Sequence, residues 1–64
     1  MIKFSEMRSR DRQAFDGKTI TFKVRRDGEM VDRYGTISRM KEQTFFVGAF
    51  CYHVNDVEDV REAN

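Results

Sequence analysis

Two side chains in this 64-residue sequence can do covalent or metal chemistry together: Cys51 and His53, two positions apart. On a strand that spacing points both to one side, where the pair can make a thiolate nucleophile or half of a zinc site. Zinc needs further ligands, and the chain has one Cys and one His. A nucleophile needs an orienting group and an oxyanion site, and the sequence offers neither. The pair therefore reads as two neighbours on a strand, and the chain is expected to work without catalysis, metal or cofactor.

Charge and aromatic groups suit binding better. Arg8, Arg10 and Arg12, together with Lys18, Lys23, Arg25 and Arg26, can form a basic surface that tracks phosphates. Arg8, Arg10, Arg12, Lys23, Arg25 and Arg26 are the candidate nucleic-acid contacts, with a tyrosine as a stacking platform. Asp11, Asp16, Asp27 and Asp32 are interleaved with them, so the same residues also fit an ordinary solvated surface. A second group, Phe45, Phe50 and Tyr52 with Phe46 between them, cannot all enter one small core, because strand side chains alternate faces. At least one is expected outside, beside Met30 or Met40, as a partner or homodimer surface. Tyr34, Phe45, Phe50 and Tyr52 are the candidate partner contacts. Asp56, Glu58, Asp59 and Glu62 form an acidic end that can engage a basic groove on a partner.

Composition bounds what can hold these residues. The chain is long enough for one domain with one small core, near the size at which burial only just offsets chain entropy. Hydrophobic residues at 39%, charged at 36% and aromatics at 12% describe a folded domain, with six Phe and two Tyr filling most of the core. One Cys excludes an internal disulfide and fits a reducing cytoplasm. No apolar run approaches the roughly 20 residues of a spanning helix, and residues 3–12 lack the apolar stretch of a signal peptide, so no membrane role is expected. The net charge of +1 conceals an asymmetry: eleven Lys and Arg against six Asp and Glu up to Lys41, then one against five from Glu42 onward.

The elements follow from periodicity and turn chemistry. Residues 5–15 read as a short helix capped by Ser5, with Met7, Ala14 and Phe15 on one face and Arg8 and Arg12 opposite. Ile2-Lys3-Phe4 can alternatively pair as an edge strand. Asp16-Gly17 stops the helix, and Ile20, Phe22 and Val24 then alternate with polar residues over 19–25. Asp27-Gly28 marks a turn, tight or longer, into a second strand over 31–40 that bends at Gly35. Residues 44–47 and 50–54 flank Gly48-Ala49 as a tight hairpin. Val57 and Val60 are spaced for one helical turn into a last short strand, and the chain is expected to fray after Arg61. The fold class predicted is mainly β: a single domain over residues 1–64, with a short N-terminal helix and a five-stranded SH3-like small barrel over 18–61.

Gly35-Thr36-Ile37, Phe46-Val47, Tyr52-His53-Val54 and Asp59-Val60 together resemble the pattern of SH3-like small barrels such as the KOW, Tudor and Sm-like groups. The resemblance covers roughly two thirds of the chain. It implies RNA or DNA contact in the KOW and Sm-like case, and peptide or methylated side-chain contact in the Tudor case. No complete KOW motif is present, and sequence assigns no aromatic cage. The expected function is a non-catalytic binding module contacting nucleic acid or a nucleic-acid-associated protein through its basic face. The alternative is a small regulatory or inhibitory protein, of viral origin for example, binding a host protein through the aromatic hairpin and the acidic end.

Overall fold

Alternation along the first strand builds one wall of the core. In the computed structural model, which describes residues 2–63, β1 (Thr19–Arg26) buries Ile20, Phe22 and Val24 and turns Thr21, Lys23 and Arg25 outward. Asp27 and Gly28 both take positive φ, 50° and 79°, the type I′ geometry that matches strand twist and demands a left-handed backbone twice. They make the shortest hairpin: Arg26 pairs directly with Glu29 at the start of β2 (Glu29–Ser38), two residues earlier than periodicity indicated.

β2 serves two neighbours in succession. Glu29 to Thr36 pair with β1, while Ile37 and Ser38 pair with Val47 and Phe46 of β3 (Thr44–Val47). The change of partner falls beside Gly35, where any Cβ would collide with Val47 Cγ1. The close approach of the Val47 side chain thus accounts for the glycine. Gly48, at φ 61°, turns β3 into β4 (Phe50–His53), and Val47 faces Phe50 across a two-residue loop.

The one-turn connector lies three residues earlier than the spacing of Val57 and Val60 indicated. It is a 3-10 turn at Val54–Asp56, capped by His53, whose Nδ1 accepts from the Asn55 N–H at 3.1 Å. Val57 and Val60 both belong to β5 (Val57–Glu62). Thr21 pairs with Arg61 but Lys23 with Glu58, so β5 carries one extra residue, and Asp59 stands there at φ 53°. That bulge puts two valines three apart on the same buried face, which a regular strand forbids. The strand also continues past the expected fraying point: Ala63 N–H donates to the Thr19 carbonyl at 2.9 Å.

Among the described residues the five antiparallel strands form one sheet in the order β4-β3-β2-β1-β5, and β4 and β5 do not pair with each other. The sheet is open at that seam. The N-terminal segment covers part of it, with Val60 N–H donating to the Ile2 carbonyl at 2.9 Å and Phe4 fully buried. Helix and edge pairing therefore both occur: Ile2 bridges to Val60, Phe4–Glu6 is a 3-10 turn, and α1 is confined to Ser9–Gln13. Met7 and Arg8 are extended and interrupt the longer helix expected over 5–15.

Phe4, Phe22, Phe45 and Tyr52 pack edge-on or tilted, with neighbouring centroids 5.2 to 5.9 Å apart, and join Ile20, Val24, Ile37, Met40, Val54, Val57 and Val60 in one cluster. No helix among the described residues is long and apolar enough to cross a membrane.

Candidate binding groove

The six cations proposed as a nucleic-acid face do not form one surface. Arg12 is 8% exposed and faces inward, the reverse of its expected position. Its Nη1 donates to the Phe4 carbonyl at 2.9 Å and to the Met7 carbonyl, and Nη2 donates to the Glu42 carbonyl. A guanidinium's planar fork suits several carbonyls at once, so Arg12 ties the N-terminal segment to the loop between β2 and β3. It is a structural residue with no phosphate-facing edge, which corrects its assignment as a nucleic-acid contact.

The other five are exposed. Arg8 and Arg10 belong to the helical region held at the start of β1, where Met40 N–H donates to Asp16 Oδ1 at 3.2 Å and Gly17 N–H to the Ile37 carbonyl at 2.8 Å. Arg25 and Arg26 stand at the far end of β1, about 20 and about 23 Å along the strand from Thr19 at about 3.3 Å per residue. Between them Lys23 is set opposite Asp32 on one side and Glu58 on the other. Arg25 pairs with Glu58 at 3.5 Å and Lys18 with Glu62 at 2.7 Å. β5 lies beside β1, so the acidic end of the sequence neutralises part of the basic beginning. Arg61 and Asp59 form a further pair at 3.0 Å.

The aromatic candidates divide cleanly. Phe45 is fully buried and Tyr52 is 6% exposed, both in the core, which removes Phe45 from the surface and leaves Tyr52 as floor. Met40 is core as well, while Met30 is exposed. Tyr34 is 70% exposed and Phe50 61%. Phe50 shares a face with Phe45 and Tyr52, but it sits at the hairpin tip, beyond the reach of the core. Phe46 turns to the opposite face, half-buried under the Arg39 guanidinium at 5.6 Å.

Tyr34 and Phe50 stand on an open groove of about 710 Å³. One wall is residues 33–36 of β2, the other residues 47–50 of the β3–β4 hairpin, and Tyr52 lines it from below. The groove exists because β2 and β3 part company after the Ile37–Val47 pair. Tyr34 also borders a smaller depression of about 420 Å³ on the other side, lined by Thr21, Lys23, Asp32 and Arg61. Arg33, which sequence inspection passed over, is exposed in the groove wall and has no ion pair among the described residues. A two-residue turn at Asp27-Gly28 would have revealed it, since that register sets Arg33 opposite Phe22, a charge on the apolar face.

Cys51 is exposed, and the His53 imidazole is engaged at Nδ1 as a turn cap. Comparison with protein-family models, with curated proteins and with solved structures finds no match to this chain.

Proposed function

We propose that this chain is a non-catalytic binding module of the SH3-like small-barrel kind, and that it binds a partner protein through the groove between β2 and the β3–β4 hairpin. The barrel assignment is supported by the strand order, the long β2 shared between two neighbours and the 3-10 turn between β4 and β5. The function rests on one observation: Tyr34 and Phe50, the most exposed large hydrophobic side chains among the described residues, border the same open groove. Large aromatics held in water-facing positions beside an apolar floor are the residue types on which protein interfaces concentrate their energy. Arg33 supplies the unpaired charge that gives such a surface selectivity. The exposed thiol of Cys51 suits a reducing compartment such as the cytoplasm.

Weak, salt-dependent nucleic-acid contact is the competing function, favoured by the exposed Arg8, Arg10, Lys23 and Arg26, which have no ion pair among the described residues. The internal position of Arg12, the Arg25–Glu58 pair and the spread of the remaining cations along β1 weigh against it. Selection of linear peptides from a random displayed library, run beside titration with single- and double-stranded oligonucleotides at low and high salt, separates the two. The protein-binding function expects selected peptides that shift the amides of residues 33–36 and 47–50, with roughly thirtyfold weaker binding for Tyr34→Ala or Phe50→Ala, as for an interface hot spot. Salt-sensitive oligonucleotide shifts at residues 8–10 and 23–26, with no peptide recovered, would replace it with the nucleic-acid function.

A further inference from the structure

We infer that the partner enters the groove as an added β-strand on the free edge of β2, a mode of binding that rests on the protein-binding function proposed above. In a two-residue hairpin the pair flanking the turn exchanges both main-chain hydrogen bonds, and the bonding then alternates along the strands. Arg26 faces Glu29, so the backbones of Glu29, Val31, Arg33 and Gly35 are turned towards β1. Ile37 continues that series: its N–H donates to the Lys18 carbonyl at 2.9 Å, and its carbonyl accepts from Gly17 N–H at 2.8 Å. The N–H and C=O groups of Met30, Asp32, Tyr34 and Thr36 therefore point the other way. Those of Met30, Asp32 and Tyr34 pair with nothing among the described residues, because β3 meets β2 only at Ile37 and Ser38, and the Ile37–Val47 pair is held by its flanking residues, Thr36 with Gly48 and Ser38 with Phe46. The groove occupies the place where a neighbouring strand would lie.

A row of unpaired main-chain donors and acceptors is satisfied by an extended polypeptide, which offers the complementary row at the same spacing. A nucleic acid has no such ladder. Side chains of the incoming strand alternate between the two faces. Those on the inner side meet Val31, Val47, Phe50 and, between them, Arg33. Arg33 is turned to β1 through its backbone, so it forms a non-hydrogen-bonded pair with the incoming strand, the pair type in which facing side chains come closest. The occupant is thus a segment of a partner protein with apolar residues at alternate positions and one Asp or Glu opposite Arg33. A second copy pairing its own β2 about Arg33 would set two guanidinium groups face to face, an unfavourable arrangement. Asp32 and Arg33 also keep this edge from pairing indiscriminately, the usual use of charge on an exposed strand.

The test uses the full chain and peptides selected from the displayed library, resynthesised with single N-methyl groups along the backbone. On saturation with an unmodified peptide, the amides of Met30, Asp32 and Tyr34 are expected to exchange with solvent at least about tenfold more slowly, whereas those of Val31, Arg33 and Gly35 keep their rates. N-methylation is expected to weaken binding about tenfold at every second peptide nitrogen and to be tolerated between, because each blocked position removes one main-chain hydrogen bond. Arg33→Glu is expected to select peptides carrying Lys or Arg in place of the acid. A peptide that loses affinity to Tyr34→Ala and Phe50→Ala, yet leaves those three amides unprotected, overturns strand addition and leaves the protein-binding function standing. Recovery of no peptide overturns both. Protection of the three amides in the free protein that grows with concentration overturns the partner in favour of a second copy.

Discussion

Arg12 and the two pairs Phe45/Tyr52 and Tyr34/Phe50 show how residue type alone misleads. A cation flanked by other cations reads as surface, yet Arg12 is internal because three carbonyls, from Phe4, Met7 and Glu42, converge on it. Its Nε is buried without a partner, so the guanidinium is compensated by carbonyl dipoles rather than by a carboxylate. Removing it leaves those carbonyls without a donor. Arg12→Ala is expected to lose about 2–3 kcal/mol in urea denaturation, and Arg12→Lys to recover little, since a point charge cannot reach three acceptors in a plane. Phe45→Ala is expected to cost about 3–5 kcal/mol, enough to unfold most of a domain this small. Tyr34→Ala and Phe50→Ala are expected to stay within about 0.5 kcal/mol of the parent in the same denaturation, because each removes an exposed ring. Unfolding by either would show that it is part of the core and would remove it from the groove's anchors.

At the scale of elements, turns and the first strand were legible because their causes are local. Ile20, Phe22 and Val24 alternate because β1 has one buried face, and Asp27-Gly28 supplies two positive φ values in adjacent residues. The ending of the chain was legible only in part. Val57 and Val60 declared a shared face, and either a helical turn or a bulged strand produces one. The bulge wins because Lys23 and Val24 of β1 offer a strand partner to Glu58 and Val57. Asp59 then carries the strain of φ 53°, so Asp59→Gly is expected to be neutral or mildly stabilising, and Asp59→Val to lose about 1–2 kcal/mol in thermal denaturation. Gly28→Ala is expected to cost about 1 kcal/mol: the space around it is open, and only its φ of 79° resists a side chain. Gly35→Ala acts differently, by displacing Val47, and is expected to perturb the amide shifts of the β3–β4 hairpin.

Over the whole molecule, charge asymmetry along the sequence becomes charge pairing in space. β5 beside β1 brings Glu58 to Arg25 and Glu62 to Lys18, both partly exposed. Exposed pairs of this kind stabilise little and are screened by salt, so the urea midpoint is expected to move little between low and high salt. A large drop at high salt would show that these contacts hold β5 in place.

The local pattern by itself determined a mainly β chain, its first strand and its turns at Asp27-Gly28 and Gly48-Ala49, since each depends on residues within a few positions of one another. Strand parity also placed Phe50 with Phe45 and Tyr52 on one face. Only tertiary structure decided where the core along that face ends, and hence that Tyr52 is floor and Phe50 is surface. Only tertiary structure turned Arg12 inward, through carbonyls up to thirty residues away, and left the edge of β2 unpaired beside a groove. These outcomes depend on which segments meet, and a chain's own periodicity carries no record of its distant neighbours.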